Sequence, residues 1–269
     1  MFEIFNYSFM VRAFIAGGAI AIIAPMIGTF LVMRRFSLFA DSLSHVALAG
    51  VAIGIISGVY PVATAVVACI IAAILIEKLR SGNKIYGDAA LSLFLSGSLA
   101  VALVLISLAH GFNVNLFSYL FGSVAAVEQV DVYIILGLTV VVLLTLIGFY
   151  RQLFFIGFDE EAAMVSGIKV KSMNLLLMTL AAVTVALSMR IVGILMVGAL
   201  MVIPVLAALQ IAKSFQRTMV YSVIFSVLAV FAGLFLSYEF DIIAGGAIVL
   251  LALVIFVVML VVGNFKKVR

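Results

Sequence analysis

Runs of roughly 20 apolar residues recur along the whole chain, each long enough to carry a helix across the hydrocarbon core of a bilayer. Of the 269 residues, 67% are hydrophobic and 10% are charged. The mean hydropathy of +1.45 is too high for a soluble domain. The expected fold is all-α: a polytopic transmembrane helical bundle of about nine spans, with a range of eight to ten, forming a single domain over residues 1–269. The candidate spans are Phe9–Met33, Leu38–Ser57, Val62–Ile76, Asp88–Leu108, Val132–Phe149, Met173–Met189, Ile191–Leu209, Met219–Ser237 and Ile242–Val262. Breaks near Tyr60-Pro61 and Arg190 account for the range. The N-terminus has neither a basic region nor an Ala-x-Ala-type cleavage site, so it is expected to open the first span. The lone Cys69 excludes an internal disulfide framework and is expected to be packing.

Basic residues mark cytoplasmic loops. Arg34 and Arg35 follow the first span. Lys78, Arg80 and Lys84 follow the third, Arg151, Lys169 and Lys171 the fifth, Lys213 and Arg217 the seventh, and Lys266, Lys267 and Arg269 the ninth. The alternation places the N-terminus outside and the C-terminus inside. Only Arg12 and Arg190 fall on the outer side, among the acids Glu3, Glu128, Asp131, Glu239 and Asp241. Those acids are expected to be solvated, or to attract cations or a delivering protein. Glu77, beside Lys78 at a helix end, reads as a snorkelling boundary residue, and Asp88 as a helix N-cap. With the basic residues confined to loops, the net charge of +4 does not indicate nucleic acid binding.

Two connections are long. The outer one, residues 109–129, holds His110, Asn113, Asn115 and the apolar stretch from Leu116 to Gly122, which suits a short helix at membrane depth surrounded by protein. The inner one, residues 151–172, contains Asp159-Glu160-Glu161-Ala162 and then Gly167. Three acids open a short helix whose dipole they complement, and Gly167 is placed to end it. Such a helix would offer a docking surface to a soluble partner.

Asp41 and His45 stand apart from this apolar background. At i and i+4 they share one face of the second span. Ionisable groups at membrane depth are costly and usually line a pathway or a site. A carboxylate oxygen and an imidazole nitrogen together suit a divalent metal such as zinc or manganese. The plainer alternative is a structural ion pair tying helices together. Ser37, Ser42 and Ser44 nearby are candidate weak oxygen contacts. Two ligands leave zinc underfilled, since closed sites use four; a second copy or water would supply the rest, which suits an ion that must leave again. His110 is a further candidate transient contact. The chain carries neither H-E-x-x-H nor G-x-x-x-x-G-K-[ST], so neither a zincin enzyme nor an internal ATPase is indicated.

The run from Arg34 to His45, RRFSLFADSLSH, resembles the signature of the metal-specific membrane permeases of bacterial ATP-binding-cassette importers, the zinc and manganese uptake systems. Three further segments resemble that family in the same order: Asn115–Ser123, which is similar to the outer loop of zinc members; Asp159–Gly167, the coupling segment; and Val192–Pro204, a glycine-containing span ending in proline. Near the C-terminus the chain departs from the family, reading Phe240-Asp241-Ile242-Ile243-Ala244-Gly245-Gly246 where members commonly carry a proline. Ser96-Gly97-Ser98 stands where zinc members can carry a histidine, so no ligand is transferred there.

The resemblance implies a type II importer fold and a multi-pass protein of the bacterial cell membrane. It also implies a homodimer in lipid with the pathway at its interface, a separate cytoplasmic ATP-binding subunit and an extracytoplasmic metal-binding protein. Transported zinc would touch Asp41 and His45; manganese or iron is the alternative cargo, and no cofactor is held permanently. Asp159, Glu160, Glu161, Ala162 and Gly167 would couple to the ATPase. A secondary metal carrier needing no ATPase is the competing class.

Overall fold

The computed structural model describes residues 3–81, 86–108 and 114–267. Twelve α-helices account for nearly all of it: α1 (Ser8–Met33), α2 (Leu38–Ser57), α3 (Pro61–Ser81), α4 (Gly87–Leu108), α5 (Val114–Phe121), α6 (Gln129–Gly148), α7 (Tyr150–Phe158), α8 (Glu160–Val165), α9 (Val170–Val192), α10 (Ile194–Leu209), α11 (Phe215–Phe240) and α12 (Ala244–Lys267). Short 3-10 turns cover Glu3–Asn6 and Val124–Ala126. No strand occurs among the described residues. Among the described residues, eight helices are long and apolar enough to cross a membrane. The seventh expected span, Ile191–Leu209, is α10, a helix of 16 residues split from α9 at Gly193 and shorter than these eight. The chain is thus a polytopic helical bundle, in register with the expected spans to within a few residues.

The boundaries follow from local chemistry. Gly58 takes a left-handed conformation (φ 70°) to close α2, and Pro61 opens α3. Glu128 and Asp131 form a reciprocal capping box at the start of α6. The Ser214 hydroxyl accepts from the Arg217 amide at the start of α11. Asp88 lies in the first turn of α4, not before it.

α1, α2 and α9 are the most buried long helices, and α10 lies among them in contact with α1, α2, α9, α11 and α12. α4, α6 and α12 expose most of their apolar surface, as a lipid-facing or partner-facing perimeter does. Close helix approach is achieved with small residues: a Cβ at Gly28 of α1 would overlap the backbone carbonyl of Met201 on α10. At the outer end, α5 caps the break between α9 and α10. A Cβ at Gly122, Gly193 or Gly245 would overlap backbone of the other segments, so three chain segments meet there with no room for side chains. Gly193 also holds φ 87°, ψ 148°, a region essentially confined to glycine. The expected short outer helix is therefore α5, buttressed by protein. His110 and Asn113, within the same connection, lie outside the described residues, as does Lys84.

Candidate metal pathway and coupling surface

Asp41 lies in the first turn of α2 and His45 one turn further along, both half-buried on one face. No hydrogen bond or ion pair to another described residue holds the Asp41 carboxylate. His45 Nδ1 is buried without a hydrogen-bond partner. Buried polar atoms in folded proteins are paired with few exceptions, so an orphaned imidazole nitrogen calls for a ligand or a functional reason. The structural ion-pair alternative is not what the geometry shows, since no ion pair joins Asp41 or His45 to any described residue.

Asp41 packs against α10 at Gly198, where a Cβ would overlap its Oδ1. Gly198 is thus a site residue that spacing arguments on α2 alone do not reach; it had stood in the sequence only as one glycine of the Val192–Pro204 run. Ser42 and Ser44 are turned elsewhere. Ser42 Oγ reaches the Leu38 carbonyl (2.9 Å) and the Leu91 carbonyl of α4 (3.0 Å), and Ser44 Oγ donates to the Ala40 carbonyl at 2.8 Å. Both are buried, so neither offers its oxygen to an ion beside Asp41. Cys69 is buried and reaches the Leu43 carbonyl across the α2–α3 contact, as packing. No cluster of three or more His, Cys, Asp or Glu side chains that could hold a metal occurs among the described residues of one chain. Asp41 and His45 therefore bring two ligand groups of the four that zinc takes in a closed site.

In the connection expected to face the cytoplasm, Asp159 is the N-cap of α8, its Oδ1 accepting from the Ala162 amide at 2.9 Å. Gly167, at φ 84°, supplies the left-handed residue that ends the segment. Glu161 is exposed, beside exposed Phe158, Met164 and Val165. Glu160 behaves differently from what its neighbours suggest. Its carboxylate turns into the bundle and accepts from Arg80 Nη1 (3.1 Å) and Nη2 (3.0 Å), Asn174 Nδ2 (3.0 Å) and Arg34 Nη2 (3.5 Å). Arg80 also grips Glu77 through Nε (2.9 Å) and Nη2 (3.0 Å). Burial raises the Glu160 carboxyl, but the Arg80 hydrogen bonds and charge outweigh it and hold the group below its ordinary range. Glu77, read from its position as a snorkelling boundary residue, is buried in this cluster because Arg80 one turn later supplies its counter-charge.

The outer side carries a second cluster. Arg190, near the end of α9, donates through Nη1 to Asp131 Oδ2 (2.6 Å), Glu128 Oε1 (3.4 Å) and the Ala126 carbonyl (3.1 Å). Its guanidinium lies over the rings of Tyr60 and Tyr119, with 5.4 and 5.9 Å to the centroids. Tyr60 donates to Asp131 Oδ1 at 3.1 Å; burial pushes its hydroxyl up to about 12, against the opposing pull of Arg190. Asp131, expected to be solvated, is buried because it serves both the capping box and Arg190. A cavity of about 390 Å³ opens beside this cluster, lined by Ile55, Tyr119, Glu128 and Arg190 among others.

Apolar spans packed around a central helix, with an unpaired carboxylate against it, are the features of a multi-pass membrane protein. The ABC 3 transport family matches residues 6–263, and the chain belongs to that family: permease subunits of ATP-binding-cassette importers, whose ATP hydrolysis resides in a separate subunit. It is 36% identical over 270 residues to the high-affinity zinc uptake system membrane protein ZnuB of Haemophilus influenzae, covering all of both chains. It is 33% identical over 253 residues to the manganese import system permease protein ScaB of Streptococcus gordonii, covering 94% of this chain and 91% of that one. Among solved structures it is similar to PsaBC of Streptococcus pneumoniae in complex with Fab, with a TM-score of 0.85 and 32% identity, covering 96% of this chain and 92% of that one.

Proposed function

We propose that this chain is the permease of a zinc importer, in which the ion passes Asp41 and His45 at the interface of two copies. The observation that carries the reading is the shared face of Asp41 and His45: an unpaired carboxylate and an orphaned imidazole nitrogen, one helical turn apart near the start of an apolar span. Two copies would bring two carboxylates and two imidazoles, the number of ligands zinc takes in a closed site. Within one chain the half-set binds weakly, which favours passage over storage. An extracytoplasmic metal-binding protein would deliver the ion to the acidic outer face. A cytoplasmic ATP-binding subunit would dock on the exposed face of α8, at Glu161, Met164 and Val165, and at Phe158 just before it. Asp159, Ala162 and Gly167 give that helix its ends and its shape.

Manganese is the second reading, and one observation favours it: the similarity to the manganese permease of Streptococcus gordonii nearly equals the similarity to the zinc permease. A carboxylate and an imidazole serve both ions, so the choice falls to competition. Uptake of labelled zinc challenged with excess manganese, and the reverse, ranks the cargo. The pathway itself is tested by Asp41→Ala and His45→Ala at matched membrane levels. Each is expected to lower uptake at least about tenfold, the consequence of losing roughly 1.4 kcal/mol of ion stabilisation. Full uptake by both variants would sink the pathway. Gradient-driven uptake by the purified chain alone in liposomes would instead indicate a secondary carrier.

A further inference from the structure

The Glu160 carboxylate has about four acceptor positions, and four donors fill them: two from Arg80 and one each from Asn174 and Arg34. A carboxylate satisfied in this way has nothing left to offer a docking partner. Its partners come from three places in the bundle: Arg80 from the end of α3, Asn174 from the start of α9, and Arg34 from the turn between α1 and α2. Among the described residues, every side-chain hydrogen bond from α8 to the bundle runs through Glu160.

The apolar attachment of α8 is slight by comparison. Ile156, Ala163 and Val170 form a small core with Ile168 and Met173, and Met173 joins it to the main core of the bundle. α8 is thus a six-residue lever on a small apolar footing, with one side chain as its polar fastening to the bundle.

The fastening leads towards the ligand pair. Arg34 begins a tight turn in which Arg35 holds φ 60°, and Phe36 in that turn lies under the Arg80 guanidinium, 5.5 Å from ring centroid to Cζ. α2 starts at Leu38, and Asp41 is in its first turn. A helix rises about 1.5 Å per residue and moves as a rigid unit, so a shift of the turn reaches Asp41 and His45 without intervening slack. Arg80 suits the task because its planar fork binds two carboxylates at once, Glu77 on its own helix and Glu160 on the lever.

We propose that Glu160, gripped by Arg80 and Arg34, is a positioning residue: the link that converts movement of α8 into movement of the α1–α2 turn and so of Asp41 and His45. This rests on the coupling role proposed above for α8. Breaking the link leaves the ATP-binding subunit docked and turning over, while its work no longer reaches the metal pathway.

The test uses the complete complex of this chain, its ATP-binding subunit and the metal-delivering protein in proteoliposomes. ATP hydrolysis and uptake of labelled zinc are measured together. Glu160→Gln keeps size and removes charge, and Arg34→Gln weakens the same link from the other side. In both, hydrolysis is expected to stay within about twofold of wild type while ATP consumed per ion rises at least about fivefold, the low end of ordinary coupling effects. Uptake and hydrolysis falling in parallel, or an unchanged ratio in both variants, overturns the link. If Glu160→Gln does not assemble, Arg34→Gln decides; if neither assembles, the cluster is a folding element and the proposal fails. A wild-type chain that retains no ATP-binding subunit would instead remove the coupling role itself, which separates the two failures.

Discussion

The two ends of the bundle use the same chemistry for different loads. Each has an arginine held by two carboxylates and stacked on aromatic rings: Arg80 with Glu77, Glu160 and Phe36 inside, Arg190 with Asp131, Glu128, Tyr60 and Tyr119 outside. The outer cluster fastens a segment that cannot move on its own, because Gly122, Gly193 and Gly245 bring backbone against backbone beside it. The inner cluster fastens α8, which stands on a small core joined to the rest through Met173. The Arg190 and Asp131 side chains are 9% and 6% exposed, whereas Glu160 is 36% exposed. An arginine network therefore acts as a lock or as a linkage according to what packs around its partners.

That contrast can be broken by removing one member of each cluster. Arg190→Ala leaves Asp131 buried without its counter-charge and is expected to cost about 3–5 kcal/mol of stability. Glu160→Ala opens a site already reached by water, but it leaves the Arg34 side chain, 5% exposed, without its carboxylate, and is expected to cost about 1–3 kcal/mol. Thermal unfolding of the two variants in detergent checks the order, and equal losses would remove the distinction between lock and linkage.

The bundle was legible in the sequence because each span carries its own signal: an apolar run, with glycine, proline and charge at its ends. The placement of Asp41 and His45 on one helix face was legible for the same reason, since one turn of one helix holds both. The two arginine clusters were not. Arg80 meets Glu160 across 80 positions and Arg190 meets Asp131 across 59, and no local period marks such partners. Asp131 reads as a surface acid because its counter-charge is assigned by helix packing. Gly198 was hidden likewise, as its role is to be empty where another helix places a carboxylate.

Gly198 sharpens the comparison, because it is where the two ends meet. It lies five residues below Gly193 on α10, about 7.5 Å along the helix. The outer lock sets α10, the inner linkage sets α2, and Asp41 touches Gly198 between them. Gly198→Ala is expected to displace the Asp41 carboxylate and lower metal uptake about tenfold, equivalent to roughly 1.4 kcal/mol. Gly97→Ala, where no heavy atom lies within 4 Å of the added Cβ, is the matched control and keeps full uptake. Equal uptake by both variants, at equal membrane levels, would mean that the Asp41–Gly198 contact does not set the ligand position.

The smallest expected effect concerns pH, and it separates a mechanical linkage from a titrating one. Against the burial that raises it, Arg80 holds the Glu160 carboxyl below its ordinary value of 4.5. A depressed carboxyl contributes stability that is present above its unfolded value and lost as pH falls through its folded value. The inner linkage is therefore fully ionised at any cytoplasmic pH. On the outer side, Tyr60 is raised from 10.0 to about 12, chiefly by burial. The sign is the reverse: its contribution is present below 10.0 and lost as pH rises through about 12. Neither shift falls in the physiological window, so the difference between the two ends rests on packing. ATP consumed per ion is expected to stay constant within about twofold from about pH 6 to 8. Glu160→Gln should show the same flat profile at a higher ratio. A wild-type ratio that swings through this window while the Glu160→Gln ratio stays level would mean that protonation at Glu160 governs the linkage, and the mechanical account would fail.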